Sequence, residues 1–364
     1  MIFVWSILVV GALLGVLALG LVVAERYLLD YGVCQISINA GERVLEVEGG
    51  QTLLETLNEG EIYIPSACGG QGTCGFCKVR VLSGGGRVLP TELPFLSRRD
   101  MRSGVRLACQ VKVREALDLQ IPEDILNVQL FSAEVESTRD LTPDTKEIRL
   151  RLVEPAEISH RPGQYVQVQA PSPEGPQWRA YSISSPVHDT THVELVVTLV
   201  PGGVGSTYLH NLQVGDPVTF TGPFGEFRLD EDPETELVCV AGGCGMAPVK
   251  NIIETVYERR PERSCWLFFG CRTTADAFYF EKWRALAEAH PNLHVVYALS
   301  EPGPEDADWE GERGFIHLSV DKYLESGGER QAFLCGPPPM IEAVTRVLED
   351  KGLEPDDIFY DKFD

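Results

Sequence analysis

The sequence predicts a multidomain chain that combines α+β and α/β folds behind an apolar N-terminal helix. Three observations carry that expectation. An uncharged apolar stretch opens the chain, a cysteine- and glycine-rich loop interrupts a β-patterned segment, and the hydrophobic period changes near residue 235. At 364 residues the chain exceeds one ordinary hydrophobic core. The formal charge of −23 excludes a nucleic-acid partner, because phosphate binding needs clustered Lys and Arg and no basic run occurs.

Residues 2–24, IFVWSILVVGALLGVLALGLVVA, carry no charge. As a helix rising about 1.5 Å per residue, the stretch is long enough for a hydrocarbon core of roughly 30 Å. Val22-x-Ala24 resembles a signal-peptide cleavage site, but no Lys or Arg precedes the apolar run, which is also longer than a signal core. Residues 1–30 therefore read as a retained transmembrane anchor. From residue 33 the pattern alternates: Cys34, Ile36 and Ile38, then Leu45 and Val47 across Ala40-Gly41-Glu42. That is a β-hairpin. A helix follows at residues 52–57, and Ile62–Pro65 leads into the cysteine loop. The polar stretch around Pro122 marks a boundary, closing a domain at 31–128.

Residues 129–230 are strand-rich, with apolar segments at 147–152, 165–170, 193–199 and 218–221 and regular turns, the pattern of an antiparallel barrel or sandwich. Over 231–364, buried-type strands at 237–241, 266–269, 294–298 and 332–335 alternate with helical stretches at 248–257, 281–290 and 339–350. Such alternation means βαβ units on a parallel sheet.

Four of the ten cysteines lie around the loop SACGGQGTCGFCKV: Cys68, Cys74, Cys77 and, after 31 intervening residues, Cys109. Ten cysteines are too few for a secreted disulfide framework in a chain of this length. Four thiolates suit zinc or an iron–sulfur cluster. Zinc sites usually pair two C-x2-C knuckles, and the second is missing here. The spacing approaches the plant-type [2Fe–2S] ferredoxin pattern, with x5 in place of x4 in the first gap. Gly69, Gly70, Gly72 and Gly75 let the backbone wrap closely and aim N–H groups at sulfur. The seven histidines show no ligand spacing and receive no role.

In WRAYSISSP (178–186), alternation sends Arg179 and Tyr181 to one face, where a cation can meet a pyrophosphate and an aromatic ring can pack a flat one. PGGVGSTYL (201–209) offers Gly203, Gly205 and Ser206 at a helix start, whose amides can hold a phosphate. In VCVAGGCGMAP (238–248) a buried strand runs into Gly242, Gly243 and Gly245, then a helix through Met246, Ala247 and Pro248. This is the context a dinucleotide-binding turn requires. FLCGPPPM (333–340) sets Cys335, Gly336 and Pro337 at a strand's C-terminal end.

The order RxYS, GxxS, GGxGxAP, CGPPxM resembles the ferredoxin–NADP⁺ reductase superfamily over residues 130–364. The resemblance implies an FAD-binding β-barrel (129–230) and a Rossmann-like NAD-binding domain (231–364). It implies that Arg179, Tyr181, Ser182, Gly203, Gly205 and Ser206 contact FAD, with Ser182 near its reactive edge, and that Phe363 shields the ring. It further implies that Gly242 to Pro248 and Gly336–Pro337 hold the nicotinamide nucleotide, with Cys335 beside the reacting carbon. Arg272 is the lone cation of GCRTTADAF and is joined there by Asp276, so NADH is expected rather than NADPH.

The x5 gap, SGGGRVLPTELPFLS (83–97), RLACQVKV (106–113), GPFGEF, GFIH (314–317) and the N-terminal span together resemble the F subunits of Na⁺-translocating NADH:quinone oxidoreductases. That likeness implies a β-grasp ferredoxin domain with Cys68, Cys74, Cys77 and Cys109 as cluster ligands. Electrons would pass from NADH through FAD to [2Fe–2S] and on to a membrane acceptor or quinone. It also implies membrane subunits as partners and a single-pass inner-membrane location with the soluble domains facing the cytoplasm. Two features depart from it. The segment before WRAYS is shorter than in those subunits, and the ending IFYDKFD is similar to reductase components of bacterial multicomponent monooxygenases. The alternative they imply is a membrane-tethered NADH-dependent reductase serving an oxygenase or another protein acceptor, without ion pumping.

Overall fold

The computed structural model describes residues 10, 11, 13–20, 31–173, 175–225, 229 and 234–362. Residues 10, 11 and 13–20 are helical with exposed side chains, and the rest of the expected anchor lies outside the described residues, as does Phe363. Among the described residues no helix is long and apolar enough to cross a membrane. The chain divides into two compact units, 1–128 and 129–364.

The first unit is a five-stranded sheet in the order β2-β1-β5-β3-β4, built from β1 (Val33–Ile38), β2 (Arg43–Glu48), β3 (Lys78–Ser83), β4 (Val105–Leu107) and β5 (Leu117–Gln120). β1 and β2 form the antiparallel hairpin, while β1 runs parallel to β5. The alternation read at Cys34, Ile36 and Ile38 points those side chains into the core. They meet Leu53 and Leu57 of helix α1 (Leu53–Glu59) there. Thr52 starts that helix through a capping box with Glu55, which satisfies amides the first turn leaves free. A helix gripped by a mixed sheet is the β-grasp arrangement.

The second unit holds two sheets. The first is antiparallel, ordered β10-β7-β6-β11-β8-β9, from β6 (Gln129–Asp140), β7 (Thr145–Glu154), β8 (Tyr165–Ala170), β9 (Gln177–Ser182), β10 (His192–Thr198) and β11 (Pro217–Phe224). A bridge between Ile183 and Leu195 draws its outer strands together, so the sheet curls into a barrel around Phe131, Ile148, Val168, Leu195 and Phe220.

The second sheet is fully parallel, ordered β15-β14-β13-β12-β16-β17. Its strands are β12 (Glu236–Gly242), β13 (Cys265–Cys271), β14 (Leu293–Leu299), β15 (Glu312–Arg313), β16 (Arg330–Gly336) and β17 (Ile358–Lys362). Helices α2 (Met246–Arg259) and α3 (Phe280–Ala289) pack one face; α4 (Ile316–Tyr323) and α5 (Pro338–Asp350) pack the other. Both faces being covered explains the unbroken burial of β12 from Leu237 to Gly242. The strand order reverses between β12 and β16, the place where open α/β sheets bind ligands. At the C terminus β17 extends the sheet beside β16, pairing Asp361 with Cys335.

Candidate functional site

The cysteine loop brings its four thiols together in two pairs. Cys68 and Cys74 Sγ atoms lie 3.4 Å apart, and those of Cys77 and Cys109 lie 3.3 Å apart. Backbone hydrogen bonds from Thr73 and Cys74 reach Cys68, one from Phe76 reaches Cys74, and one from Gly72 reaches Cys109. The Cys74 thiol and these donors hold Cys68 down at about 3. Among the described residues no group of three or more His, Cys, Asp or Glu gathers as around a single ion. Two thiol pairs fringed by N–H donors suit two irons with two thiolates each. The loop needs its glycines: Gly72 has φ +74°, and a Cβ there would come within 2.6 Å of Gln110 Nε2.

On β9, Arg179 and Tyr181 share a face as alternation required, and both press on Gly205 at the start of the helix Val204–Asn211. A Cβ on Gly205 would come within 2.9 Å of Arg179 Cγ and closer still to Tyr181 Oη. Burial pushes the Tyr181 phenol well above its ordinary range, so it stays neutral. Ser206 Oγ accepts from the Val200 amide at 3.1 Å, which ties the preceding turn to the helix start. Ser182 is buried and, next along the strand, faces the other way. A cation, a neutral aromatic and a glycine-lined helix start converging at one place fit a flavin dinucleotide.

A cavity of about 530 Å³ opens at the C-terminal ends of the parallel strands. Its walls include Gly242 at the end of β12 and Gly243 beyond it, Arg272 after β13, Ser300 after β14 and Pro337 after β16, and the barrel closes it with Thr145 and Thr198. Gly336, at φ +149°, sits so close to Gly242 that a Cβ would lie 3.1 Å from that residue's backbone N and O. The strand ends thus meet without side chains between them. Gly245 packs against the Cys335 carbonyl in the same way. Met246, Ala247 and Pro248 lie buried in the first turn of α2, and Cys335 is wholly buried. None of these four is on the cavity wall. Arg272 is held by Asp276 at 3.4 Å and Asp144 at 3.8 Å.

Sequence reasoning missed the barrel's contribution, Thr142, Thr145 and Thr198, and the Phe315–His317 edge of the cavity. Isolated threonines and one histidine carry no spacing signal, and only the packing of barrel on sheet brings them in. It also missed the clamp that fixes α2 on the barrel. Lys250 Nζ donates to the Ser184 carbonyl at 3.1 Å and pairs with Glu194 at 2.6 Å, while Asn251 donates to the Ser185 carbonyl. Those carbonyls follow the Arg-x-Tyr-Ser strand, so α2 and β9 are held in one register.

Comparison with known proteins gives three family matches: a 2Fe-2S iron-sulfur cluster binding domain over residues 36–114, an oxidoreductase FAD-binding domain over 132–229, and an oxidoreductase NAD-binding domain over 239–346. Among solved structures, the cytochrome P450 reductase GcoB of Amycolatopsis has a TM-score of 0.73 at 32% identity, covering 91% of this chain and 98% of that one. The ferredoxin reductase in carbazole 1,9a-dioxygenase has a TM-score of 0.70 at 29% identity, covering 92% and 99%. The F subunit of the Na⁺-translocating NADH-quinone reductase of Neisseria meningitidis serogroup C is 36% identical over 96% of each chain. Its counterpart from Actinobacillus succinogenes is 34% identical over 99% of this chain and 98% of its own. The resemblance read from the motifs is borne out along nearly the whole length: this chain belongs to the family of Na⁺-translocating NADH-quinone reductase F subunits.

Proposed function

We propose that the chain is the NADH-oxidising subunit of a membrane redox complex, taking electrons from NADH through FAD to a [2Fe–2S] centre held by Cys68, Cys74, Cys77 and Cys109. The observation that carries this reading is the cavity walled jointly by the parallel sheet and the flavin-type barrel. A nucleotide bound at the switch point would then lie against the strands that carry the flavin. When bound, the flavin accepts an electron pair as hydride and releases electrons singly, chemistry that no side chain supplies.

The chain's own residues do the holding. Arg179 and the amides around Gly205 and Ser206 take the FAD pyrophosphate, and Tyr181 lies along the ring. Gly242, Gly243, Gly336 and Pro337 give the nucleotide close backbone approach. Met246, Ala247 and Pro248 shape the start of α2 beneath the nucleotide. Cys335 and Ser182, both buried, position the reacting edges. NADH is the donor: with two carboxylates already on Arg272, little cationic charge is left for a 2′-phosphate.

Residues 1–30 anchor the protein in the inner membrane, with the soluble domains on the cytoplasmic side where nicotinamide nucleotides are found. The exposed Leu13, Leu14, Leu17 and Leu19 support this. The names of the bacterial relatives, in which this polypeptide is one component of a quinone reductase, support membrane subunits as partners. The fold shared with a cytochrome P450 reductase favours a second reading, a tethered reductase serving a protein acceptor. Purification from native membranes separates them: multispanning partners support the first reading, and a soluble oxygenase overturns it.

The order of carriers is tested with Cys109→Ala in anaerobic stopped flow. Cluster absorption should vanish while NADH still bleaches the flavin at close to the normal rate. Loss of flavin reduction would reverse the assigned order.

A further inference from the structure

We propose that Gln110 sets the potential of the cluster by donating a side-chain hydrogen bond to its ligand Cys109; this rests on the [2Fe–2S] reading above. Gln110 Nε2 lies 3.5 Å from Cys109 Sγ and 3.4 Å from the Cys109 carbonyl oxygen. Both neighbours are acceptors, so the amide presents its N–H₂ group to them, and Oε1 is left to face Thr91. Thr91 Oγ1 meets it at 2.8 Å.

Thr91 is itself fixed. It precedes Glu92, which is fully buried, pairs with Arg106 through contacts of 2.7 and 2.9 Å, and accepts the Leu107 amide at 3.0 Å. The tether of the Gln110 amide is thus built into the segment that delivers Cys109. Gly72 leaves the space the amide occupies, since a Cβ there would come 2.6 Å from Nε2. An amide so held from both ends is a preset donor.

One-electron reduction adds one negative charge to a cluster and its thiolates. An N–H aimed at a ligand sulfur stabilises the more negative state more, and so raises the potential. Hydrogen bonds to charged groups are among the stronger ones, and a part of their free energy that differs between the two redox states amounts to about a tenfold change in their ratio.

The test uses the full chain carrying its cluster. Gln110→Glu keeps the length and loses the donor; Gln110→Met removes all polarity. Iron and acid-labile sulfide analysis and the EPR spectrum of the reduced wild type first establish the centre. No cluster in the wild type would overturn the [2Fe–2S] reading, and this proposal with it. The midpoint potential is then read by EPR-monitored redox titration. In Gln110→Glu the ratio of reduced to oxidised cluster at fixed potential should fall about tenfold, about 59 mV for one electron. Gln110→Met should shift the same way by less. Loaded variants with the wild-type potential would overturn the role of Gln110 alone. If neither variant retains the cluster, Gln110→Asn, one methylene too short to reach Sγ, decides: a downward shift supports the proposal and an unmoved potential overturns it.

Discussion

At the scale of single residues, much of the site consists of places where a side chain must be absent. Gly205 is the clearest, with Arg179 and Tyr181 packed against the hydrogen where a Cβ would stand. Gly205→Val should push both off their shared face and disrupt the helix start. We expect FAD affinity to fall by at least tenfold, measured as flavin retained through gel filtration and by titration of the apoprotein. The iron content of the ferredoxin unit should not change, because that unit folds around its own core. The glycines of this motif were legible in the sequence as a pattern, yet the partner each one makes room for was not. Gly72 and Gln110 lie far apart along the chain and meet only once β3 and β4 pair.

At the scale of elements, the loop between β3 and β4 is held by an ion pair that composition alone does not reveal. Glu92 is fully buried, accepts the amides of Leu89 and Leu107, and takes two contacts from Arg106, whose guanidinium also caps the carbonyls of Gly86 and Arg87. Removing one partner leaves a buried charge uncompensated, which costs about 3–5 kcal/mol. Glu92→Ala should therefore lower the urea midpoint of the ferredoxin unit and speed loss of its cluster. Glu92→Leu combined with Arg106→Met should recover much of the stability, because an apolar pair of similar volume removes the unpaired charge. Elements with a strong period were easy to read: β12 as a buried strand, α5 as an amphipathic helix, β1 and β2 as a hairpin. The short strand β15 and the edge strand β17 have too few residues for a period and take form only by pairing with β14 and β16.

At the scale of the whole second unit, barrel and parallel sheet act as one body through a buried polar seam. His160 lies in it, with Nε2 near Asn251 Nδ2 at 3.2 Å and the Ser185 carbonyl at 3.4 Å. Its Nδ1 has no hydrogen-bond partner among the described residues. Burial holds its pKa down at about 4, whereas an unfolded histidine titrates near 6.5. Between those values the unfolded chain binds more protons, so this stability is complete above about pH 6.5 and is lost as pH falls toward 4. The slope is up to about 1.4 kcal/mol per pH unit. His160→Gln should flatten the stability profile of this unit across that window, as measured by denaturant midpoints at pH 4.5, 5.5 and 7. An unchanged slope would mean that other groups carry the acid sensitivity.

The order of the domains, the four cysteines, the glycine turns and the family were all legible in the chain before it folds. The glycine turns and three of the cysteines lie in short runs whose spacing the local backbone enforces; the domain order is read from changes of hydrophobic period, and Cys109 from its place in the family pattern. The strands buried on both faces were legible too, since an unbroken apolar run has no other stable place. What surrounds those motifs came only with folding. The pairing of the cysteines into two sets, the barrel threonines on the nucleotide cavity, the Lys250–Glu194 clamp and the Thr91 tether on the Gln110 amide all join residues whose positions along the chain are unrelated. Such contacts arise from strand order and packing, which no local period encodes.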